Sequence, residues 1–199
     1  SDVYKRQHQE GRDDDQMLTT RFDEAFAFAH DLHRRQTRKG GGTPYIAHLM
    51  SVAALVVEHG GDEDQAIAGL LHDAAEDQGG EETLGLVRAR FGDGVAGIVA
   101  DCTDSWVEPK PAWRPRKEAY LARLPAKPPR SLLVSLADKT HNAEAIATDL
   151  RTHGDGLWPR FGGGAEGTRW YYRTIAGIFL EALPGPLAER CSRAVASFA

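Results

Sequence analysis

Apolar residues with helical spacing run through most of this chain, and they constrain its fold more than any other feature. In the first segment they stand at positions 22, 25, 26, 29 and 32, the spacing of one face of an α-helix. A second segment runs from about Ile46 to His59 and is followed by Gly60-Gly61, a typical helix stop. The same reasoning predicts helices over 62–78, 83–91, 93–103, 116–124, 130–153, 165–183 and 186–198. Because no segment shows the alternation of a strand, the sequence predicts an all-α fold.

Polar and proline-rich stretches divide the chain. Residues 1–16 are charged and lack an apolar period, so we expect a disordered or non-native tail there and a single domain over residues 17–199. Residues 104–115 are interrupted by prolines and are predicted to form a loop. Asp62, with Gln65 three residues later, gives a capping-box start for the helix predicted over 62–78.

The composition argues against several classes of protein. Lys and Arg number 24 against 29 Asp and Glu, and this net charge of −5 disfavours a nucleic-acid-binding protein. The 41% apolar fraction is enough for a core, yet the longest purely apolar run, Val52–Val57, is too short to span a membrane. Cys102 and Cys191 have no CxxC partner and fit a reducing compartment. We therefore expect a cytoplasmic protein that binds neither nucleic acid nor a membrane, and the sequence leaves a homo-oligomer open.

The segment Leu70–Asp77 carries the densest group of chemically active side chains. Four of them cover one arc of roughly 140° on a helical wheel, namely His72, Asp73, Glu76 and Asp77. No Lys or Arg occurs between residues 62 and 87 to pair with the carboxylates, which would repel one another. A divalent metal over this face would supply the missing positive charge. An exposed acidic face without a ligand is the alternative interpretation.

Two more segments offer metal ligands. His48 stands in the first turn of the second predicted helix, and Asp138 is flanked by Leu132, Leu133, Val134 and Leu136. A carboxylate in such apolar surroundings requires a partner or a metal. His48, His72, Asp73 and Asp138 together give two imidazoles and two carboxylates, a mixed nitrogen and oxygen set that suits Mn²⁺, Fe²⁺ or Mg²⁺ better than structural zinc.

The order His…His-Asp…Asp resembles that of the HD-domain metal phosphohydrolases. More narrowly, Thr43–His48, His72–Asp77 and Leu136–Asn142 resemble three motifs of the RelA/SpoT-type alarmone hydrolases, including the stand-alone small alarmone hydrolases. The resemblance covers about Phe22 to Leu150 and implies an all-α, HD-domain helical bundle over residues 17–199. A bare His-Asp dipeptide is common in proteins, whereas three motifs in this order are specific.

The resemblance also implies a reaction and a site. His48, His72, Asp73 and Asp138 would hold one Mn²⁺, with Fe²⁺ or Mg²⁺ as alternatives, and Glu76 and Asp77 would activate or orient the attacking water. The reaction would release pyrophosphate from the 3′ position of a guanosine or adenosine tetra- or pentaphosphate and leave the nucleoside di- or triphosphate. Substrate contacts would come from Arg38, Lys39, Tyr45, Lys139 and Asn142.

An anionic nucleotide also needs cations beyond these motifs. The proline-rich segment and the residues after it offer candidates for a basic flap over the pyrophosphate, namely Lys110, Arg114, Arg116 and Lys117. Arg114 and Arg116 are the two that we expect to contact substrate. A solvated loop is the alternative for this segment. Of the other histidines, His141 is expected to lie near the ligands or to serve the fold without binding the metal.

One departure from the family pattern leaves other functions open. Relatives commonly carry an Arg followed by Thr or Asp after the position of Asn142, and this chain has Ala143-Glu144-Ala145. Base recognition could therefore differ, so guanine and adenine both stay open. Another phosphohydrolase activity on the same site, such as a nucleotidase or an NADPH-type phosphatase, is an alternative, and so is an antitoxin-like partner of an alarmone synthetase.

Overall fold

The computed structural model describes residues 18–39, 41–106 and 109–199, and these residues form helices joined by short connections. The α-helices are α1 (Thr20–Leu32), α2 (Ile46–Glu58), α3 (Glu63–Leu71), α4 (Ala74–Asp77), α5 (Gly80–Cys102), α6 (Trp113–Arg123), α7 (Pro129–His153), α8 (Gly164–Ala182) and α9 (Pro186–Ala196). Two 3₁₀ segments, Leu124–Ala126 and Gly154–Arg160, lie on either side of α7. Within the described ranges there is no strand, which confirms the all-α prediction. The tail predicted over 1–16 lies outside the described residues.

The long helix α7 lies at the centre of the bundle. It packs against α2, α3, α5 and α9. Its apolar side chains Leu132, Leu136, Ala143 and Ile146 are buried at helical spacing. Because α7 is held from several sides, the polar residues that it carries next to this core have fixed positions. None of the helices in the described part of the chain has the length and hydropathy needed to cross a membrane.

Helices α2 and α3 approach each other closely at a glycine. A Cβ added to Gly69 would lie 3.0 Å from the Cα and 3.2 Å from the backbone N of Ala53 on α2. The capping box predicted for Asp62 and Gln65 is present and begins α3, which confirms that part of the sequence analysis. The close approach brings the C-terminal end of α3 alongside the first turns of α2.

The helix predicted over 62–78 is two helices, which corrects the sequence analysis. Helix α3 ends at Leu71, α4 begins at Ala74, and Asp73 between them has φ −97° and ψ −1°. His72 Nδ1 donates a hydrogen bond of 2.8 Å to the Gly69 carbonyl. This bond competes with the backbone hydrogen bond that a continuous helix would form there. The four side chains of the predicted stripe are therefore presented by a break between helices and not by one regular face.

Two other boundaries differ from the prediction. The segments 83–91 and 93–103 form one element, α5, with a kink at Gly92, where φ is +91°. The loop predicted over 104–115 ends earlier, because α6 begins at Trp113 and includes Pro115 in its first turn. Proline is tolerated there, since the first N–H groups of a helix have no intrahelical partner. Residues 107 and 108 of that loop lie outside the described residues.

Candidate metal centre and its surroundings

Three buried side chains from three parts of the chain meet at one point. His48 on α2, His72 at the end of α3 and Asp138 on α7 have potential ligand atoms that all lie within 4.8 Å of one another. Asp138 Oδ1 lies 3.2 Å from His48 Nε2 and 3.5 Å from His72 Nε2. This convergence depends on the close packing of α2, α3 and α7 described above. The cluster has the residue types and spacing of a metal centre.

The protonation of this cluster fits a metal cation. His48 Nε2 and His72 Nε2 are both buried and have no hydrogen-bond partner. Because the Gly69 carbonyl can only accept, Nδ1 of His72 carries a proton, so Nε2 is the ring atom that faces the cluster. Burial lowers the pKa of His72, but the Asp73 and Asp138 carboxylates raise it well above its ordinary value, and a cation bound at Nε2 would take the place of that proton. Burial alone would raise the pKa of Asp138, yet Lys139 and His72 hold it well below its ordinary value, so the carboxylate is ionised. Lone pairs and a carboxylate facing one point are the donor set that a divalent cation requires.

Asp73 adds a second carboxylate at the more open side of the cluster. Its Oδ2 lies 3.0 Å from His72 Nε2 and 3.8 Å from His48 Nε2. The Tyr45 hydroxyl donates a hydrogen bond of 2.5 Å to the same oxygen. The structure therefore brings all four predicted ligands together, with Tyr45 fixing the orientation of one of them.

A chain of hydrogen bonds runs from Asp138 through Asn142 to Arg38. Asn142 Nδ2 donates to Asp138 Oδ1 at 2.5 Å, and Arg38 Nη2 donates to Asn142 Oδ1 at 2.8 Å. Lys139 Nζ pairs with Asp138 Oδ2 at 2.5 Å and lies 5.6 Å from the Tyr120 ring centroid. Three residues predicted to contact substrate thus contact the metal-site carboxylate or its support. Of the other two, Tyr45 bonds to Asp73 as described above, and Lys39, which follows Arg38 in the chain, is exposed.

Glu76 and Asp77, the predicted catalytic carboxylates, share one lysine. Lys110 Nζ lies 2.9 Å from Glu76 Oε1 and 3.1 Å from Asp77 Oδ1. The backbone N–H of Asp104 donates to Glu76 Oε2 at 3.2 Å, and Gln36 Nε2 donates to Asp77 Oδ2 at 2.9 Å. Burial, together with the nearby Asp104 and Asp73 carboxylates, raises the pKa of Glu76 above its ordinary value. A carboxylate with a raised pKa is a stronger proton acceptor.

The two arginines predicted for a basic flap have different surroundings. Arg116 pairs with Asp104 Oδ1 at 2.5 Å and lies 3.6 Å from Glu76 Oε1, so it belongs to the surroundings of Glu76. Arg114 pairs with Glu118 at 2.7 Å and stacks over the Trp170 ring at 3.4 Å from its centroid. Arg116 therefore lies beside the candidate catalytic carboxylate Glu76, whereas Arg114 packs against Trp170 on α8.

Sequence reasoning missed the contacts made by Gln36 and Asp104. Asp104 pairs with both Arg116 and Lys117 at 2.5 Å, and its own side chain is almost fully buried. These residues lie outside the three motifs, and no spacing within the sequence relates them to Glu76 or Asp77.

The helical fold and the His/Asp cluster define a class of α-helical domain with a mixed histidine and carboxylate metal centre. The sequence model of the HD domain family matches residues 25–163, and the chain belongs to this family. The family match contains all four residues of the cluster, since His48, His72, Asp73 and Asp138 lie inside it.

Individual relatives agree with this assignment. A probable guanosine-3′,5′-bis(diphosphate) 3′-pyrophosphohydrolase of Synechocystis is 36% identical over 149 residues, which are 72% of this chain and 19% of that protein. The guanosine-3′,5′-bis(diphosphate) 3′-pyrophosphohydrolase MESH1 of Mus musculus is 39% identical over 122 residues, 60% of this chain and 65% of that protein. The chain therefore spans less than two thirds of the length of these relatives.

Two solved structures have a similar fold. A metazoan ortholog of SpoT, which hydrolyses ppGpp and plays a role in starvation responses, matches with a TM-score of 0.73 and 24% identity. That match covers 89% of this chain and 95% of the other. A structure from Listeria monocytogenes EGD-e matches with a TM-score of 0.65 and 29% identity over 74% of this chain and 96% of that one.

Proposed function

We propose that this chain is a metal-dependent hydrolase that removes pyrophosphate from the 3′ position of guanosine 3′,5′-bis(diphosphate) or a closely related adenosine or pentaphosphate nucleotide. The observation that carries the proposal is the pair of buried, unpartnered Nε2 atoms of His48 and His72 facing the Asp73 and Asp138 carboxylates. The names of the Synechocystis and mouse relatives support the choice of reaction.

One divalent ion would be held by the four residues His48, His72, Asp73 and Asp138. The set contains nitrogen and oxygen donors without a thiolate, which favours Mn²⁺, with Fe²⁺ and Mg²⁺ as the other candidates. When bound, such an ion polarises a phosphoryl oxygen and lowers the pKa of water. The cluster is closed towards the core by α7 and its more open side carries Asp73, so we infer that substrate approaches from the side of Asp73 and Glu76.

The chain itself would supply the base and the cations. Glu76 is the proton acceptor in this proposal, because its raised pKa makes it a stronger base than an exposed glutamate. Water adds to the phosphorus bonded to the ribose 3′ oxygen while Glu76 takes a proton from that water. The bond between this phosphorus and the 3′ oxygen breaks, pyrophosphate is released, and the 3′ oxygen takes a proton from solvent to become the hydroxyl. Lys110 and Arg116, which pair with Glu76 here, are close enough to meet the substrate phosphates. Asp77 holds Lys110 on its other side.

Recognition of the base would differ from the family pattern. Glu144, two residues after Asn142, forms two hydrogen bonds with Arg190 on α9, of 2.7 and 3.0 Å. Its side chain is therefore engaged by the C-terminal helix and is not free to contact a nucleoside. For this reason we propose guanine and adenine nucleotides as equal candidates.

We also propose a cytoplasmic compartment and a small anionic ligand, each on a separate observation. Cys102 and Cys191 are free thiols, which supports a reducing cytoplasm. The net charge of −5 supports a small anionic substrate held by local cations over a nucleic-acid partner. A homo-oligomer stays a prediction.

A substrate panel tests the proposed reaction. Pyrophosphate release would be measured with Mn²⁺ from the guanosine and the adenosine 3′,5′-bis(diphosphates), beside phosphate release from NADPH and from nucleoside monophosphates. We expect release from one or both bis(diphosphates), and loss of it in Asp73→Ala. Phosphate release from NADPH or the monophosphates alone would replace the proposal with another phosphohydrolase activity.

A further inference from the structure

Two histidine rings on facing helices form a hydrogen bond with each other beside the metal cluster. His48 Nδ1 on α2 lies 2.8 Å from His141 Nδ1 on α7, and the ring centroids are 4.9 Å apart. A hydrogen bond between two imidazole Nδ1 atoms needs one of them to carry the proton and the other to accept. The choice decides which tautomer His48 adopts.

The metal cluster requires one of the two choices. If His48 carries its proton on Nδ1, its Nε2 lone pair points at the cluster, 3.2 Å from Asp138 Oδ1. If His141 is the donor, a neutral His48 carries its proton on Nε2, and that atom cannot bind a cation. His72 has no such alternative, because its Nδ1 partner is the Gly69 carbonyl, which only accepts.

We propose that His141 is a positioning residue that accepts the Nδ1–H of His48 and so holds the Nε2 lone pair of His48 towards the metal. His141 does not touch the cation or the substrate in this arrangement. Hydrogen-bond partners of this kind orient a ligating histidine, and their loss costs about 10–100-fold in metal affinity. The inference rests on the metal site of the proposed function and is independent of the substrate.

Two variants separate the hydrogen bond from simple packing. In His141→Asn the side-chain oxygen occupies the position of Nδ1 and can still accept from His48, whereas His141→Leu keeps a similar bulk without an acceptor. Mn²⁺ dissociation constants would be measured from the electron paramagnetic resonance signal of free Mn²⁺, with the melting temperature of each metal-free variant as the folding control. We expect His141→Leu to bind Mn²⁺ about 10–100-fold more weakly, and His141→Asn to stay within about threefold of wild type.

The tautomer can also be observed without any substitution, so a variant that fails to fold does not leave the question unanswered. Long-range ¹H–¹⁵N correlation spectra of the wild-type protein loaded with diamagnetic Zn²⁺ should show His141 protonated on Nε2 and unprotonated on Nδ1. A proton on His141 Nδ1 would overturn the proposal. Mn²⁺ affinity in a folded His141→Leu protein equal to that of the wild type would also overturn it.

The failure of the proposed function gives a different result. A wild-type protein that binds no divalent metal would refute the metal site and the role of His141 with it. A wild-type protein that binds Mn²⁺ through His48 but hydrolyses no nucleotide would refute the proposed reaction, and the comparison of the two variants would still decide the role of His141.

Discussion

The close contact of α2 and α3 at Gly69 makes a quantitative prediction for Gly69→Ala. The new Cβ would lie 3.0 Å from Ala53 Cα, where ordinary contacts begin at 3.4 Å, so the helices must separate by several tenths of an ångström. Such overpacking costs about 1–3 kcal/mol. The removal of a glycine from a helix offsets about 1 kcal/mol of this. Since Gly69 also accepts the His72 hydrogen bond, we expect the separation to displace His72 and weaken Mn²⁺ binding.

Gly97→Ala on α5 is the matched control, because a Cβ there meets nothing within 4 Å. It should gain about 0.5–1 kcal/mol from the same loss of glycine. Urea unfolding of the metal-free proteins should therefore place Gly69→Ala about 1–3 kcal/mol below Gly97→Ala in the free energy of unfolding. For a chain of this size this is a melting-temperature gap of about 2–12 °C. Equal stability of the two variants, with unchanged Mn²⁺ affinity in Gly69→Ala, would refute this reasoning.

Three further predictions concern the carboxylates and their cations. Glu76→Gln keeps the side-chain volume but removes the base, so kcat should fall about 10²–10⁴-fold. The Mn²⁺ affinity, measured by titration, should stay near that of the wild type. Retained turnover would exclude Glu76 as the base. The ammonium group of Lys110, 2.9 Å from Glu76 Oε1, lowers the pKa of Glu76. Lys110→Ala removes this charge, so the pKa of Glu76 should rise. Because the base works only when deprotonated, the acid limb of the kcat/KM profile against pH should move to higher pH, and an unmoved or lower limb contradicts the assignment. Arg116→Ala should raise KM about tenfold or more through the loss of a charge-assisted phosphate contact. Arg114→Ala, which loses an ion pair with Glu118 and the stacking on Trp170, should leave KM near the wild-type value; equal effects would place both arginines at the substrate.

Local sequence patterns predicted most of the fold. The apolar spacing of α2 and α7 and the capping box of Asp62 and Gln65 depend on residues a few positions apart, which a sequence displays directly. The break at His72 and Asp73 depends on a side chain bonding to the Gly69 carbonyl, and helical periodicity carries no sign of it.

The arginines of α6 show why part of the site could not be predicted. With Arg114 in the predicted loop and Arg116 at the start of the predicted helix, both could have faced the substrate, as the sequence analysis expected. In a helix they are about 200° apart around the axis, so they face opposite sides. The helix begins early enough to include both because Pro115 is compatible with its first turn. The four candidate ligands, in contrast, were indicated by the resemblance of the three motifs to those of a known family.

Contacts between α4 and residues distant in the sequence gave no sequence signal. Asp104 reaches Glu76 through a backbone N–H, and any residue except proline could donate that bond. Gln36 precedes the first motif and meets Asp77 across a separation of 41 residues. Such pairs are determined by how the helices pack, and a single sequence does not contain that information.

The central claim is that His48, His72, Asp73 and Asp138 form a metal centre on which hydrolysis depends. The most direct test is to strip the protein with a chelator and to measure pyrophosphate release from guanosine 3′,5′-bis(diphosphate) while Mn²⁺ is added back in known equivalents. We expect no release without metal, and a rise in release that ends at one bound Mn²⁺ per chain. Full activity in the stripped protein, or bound Mn²⁺ that restores no release from this nucleotide or its adenosine counterpart, would contradict it.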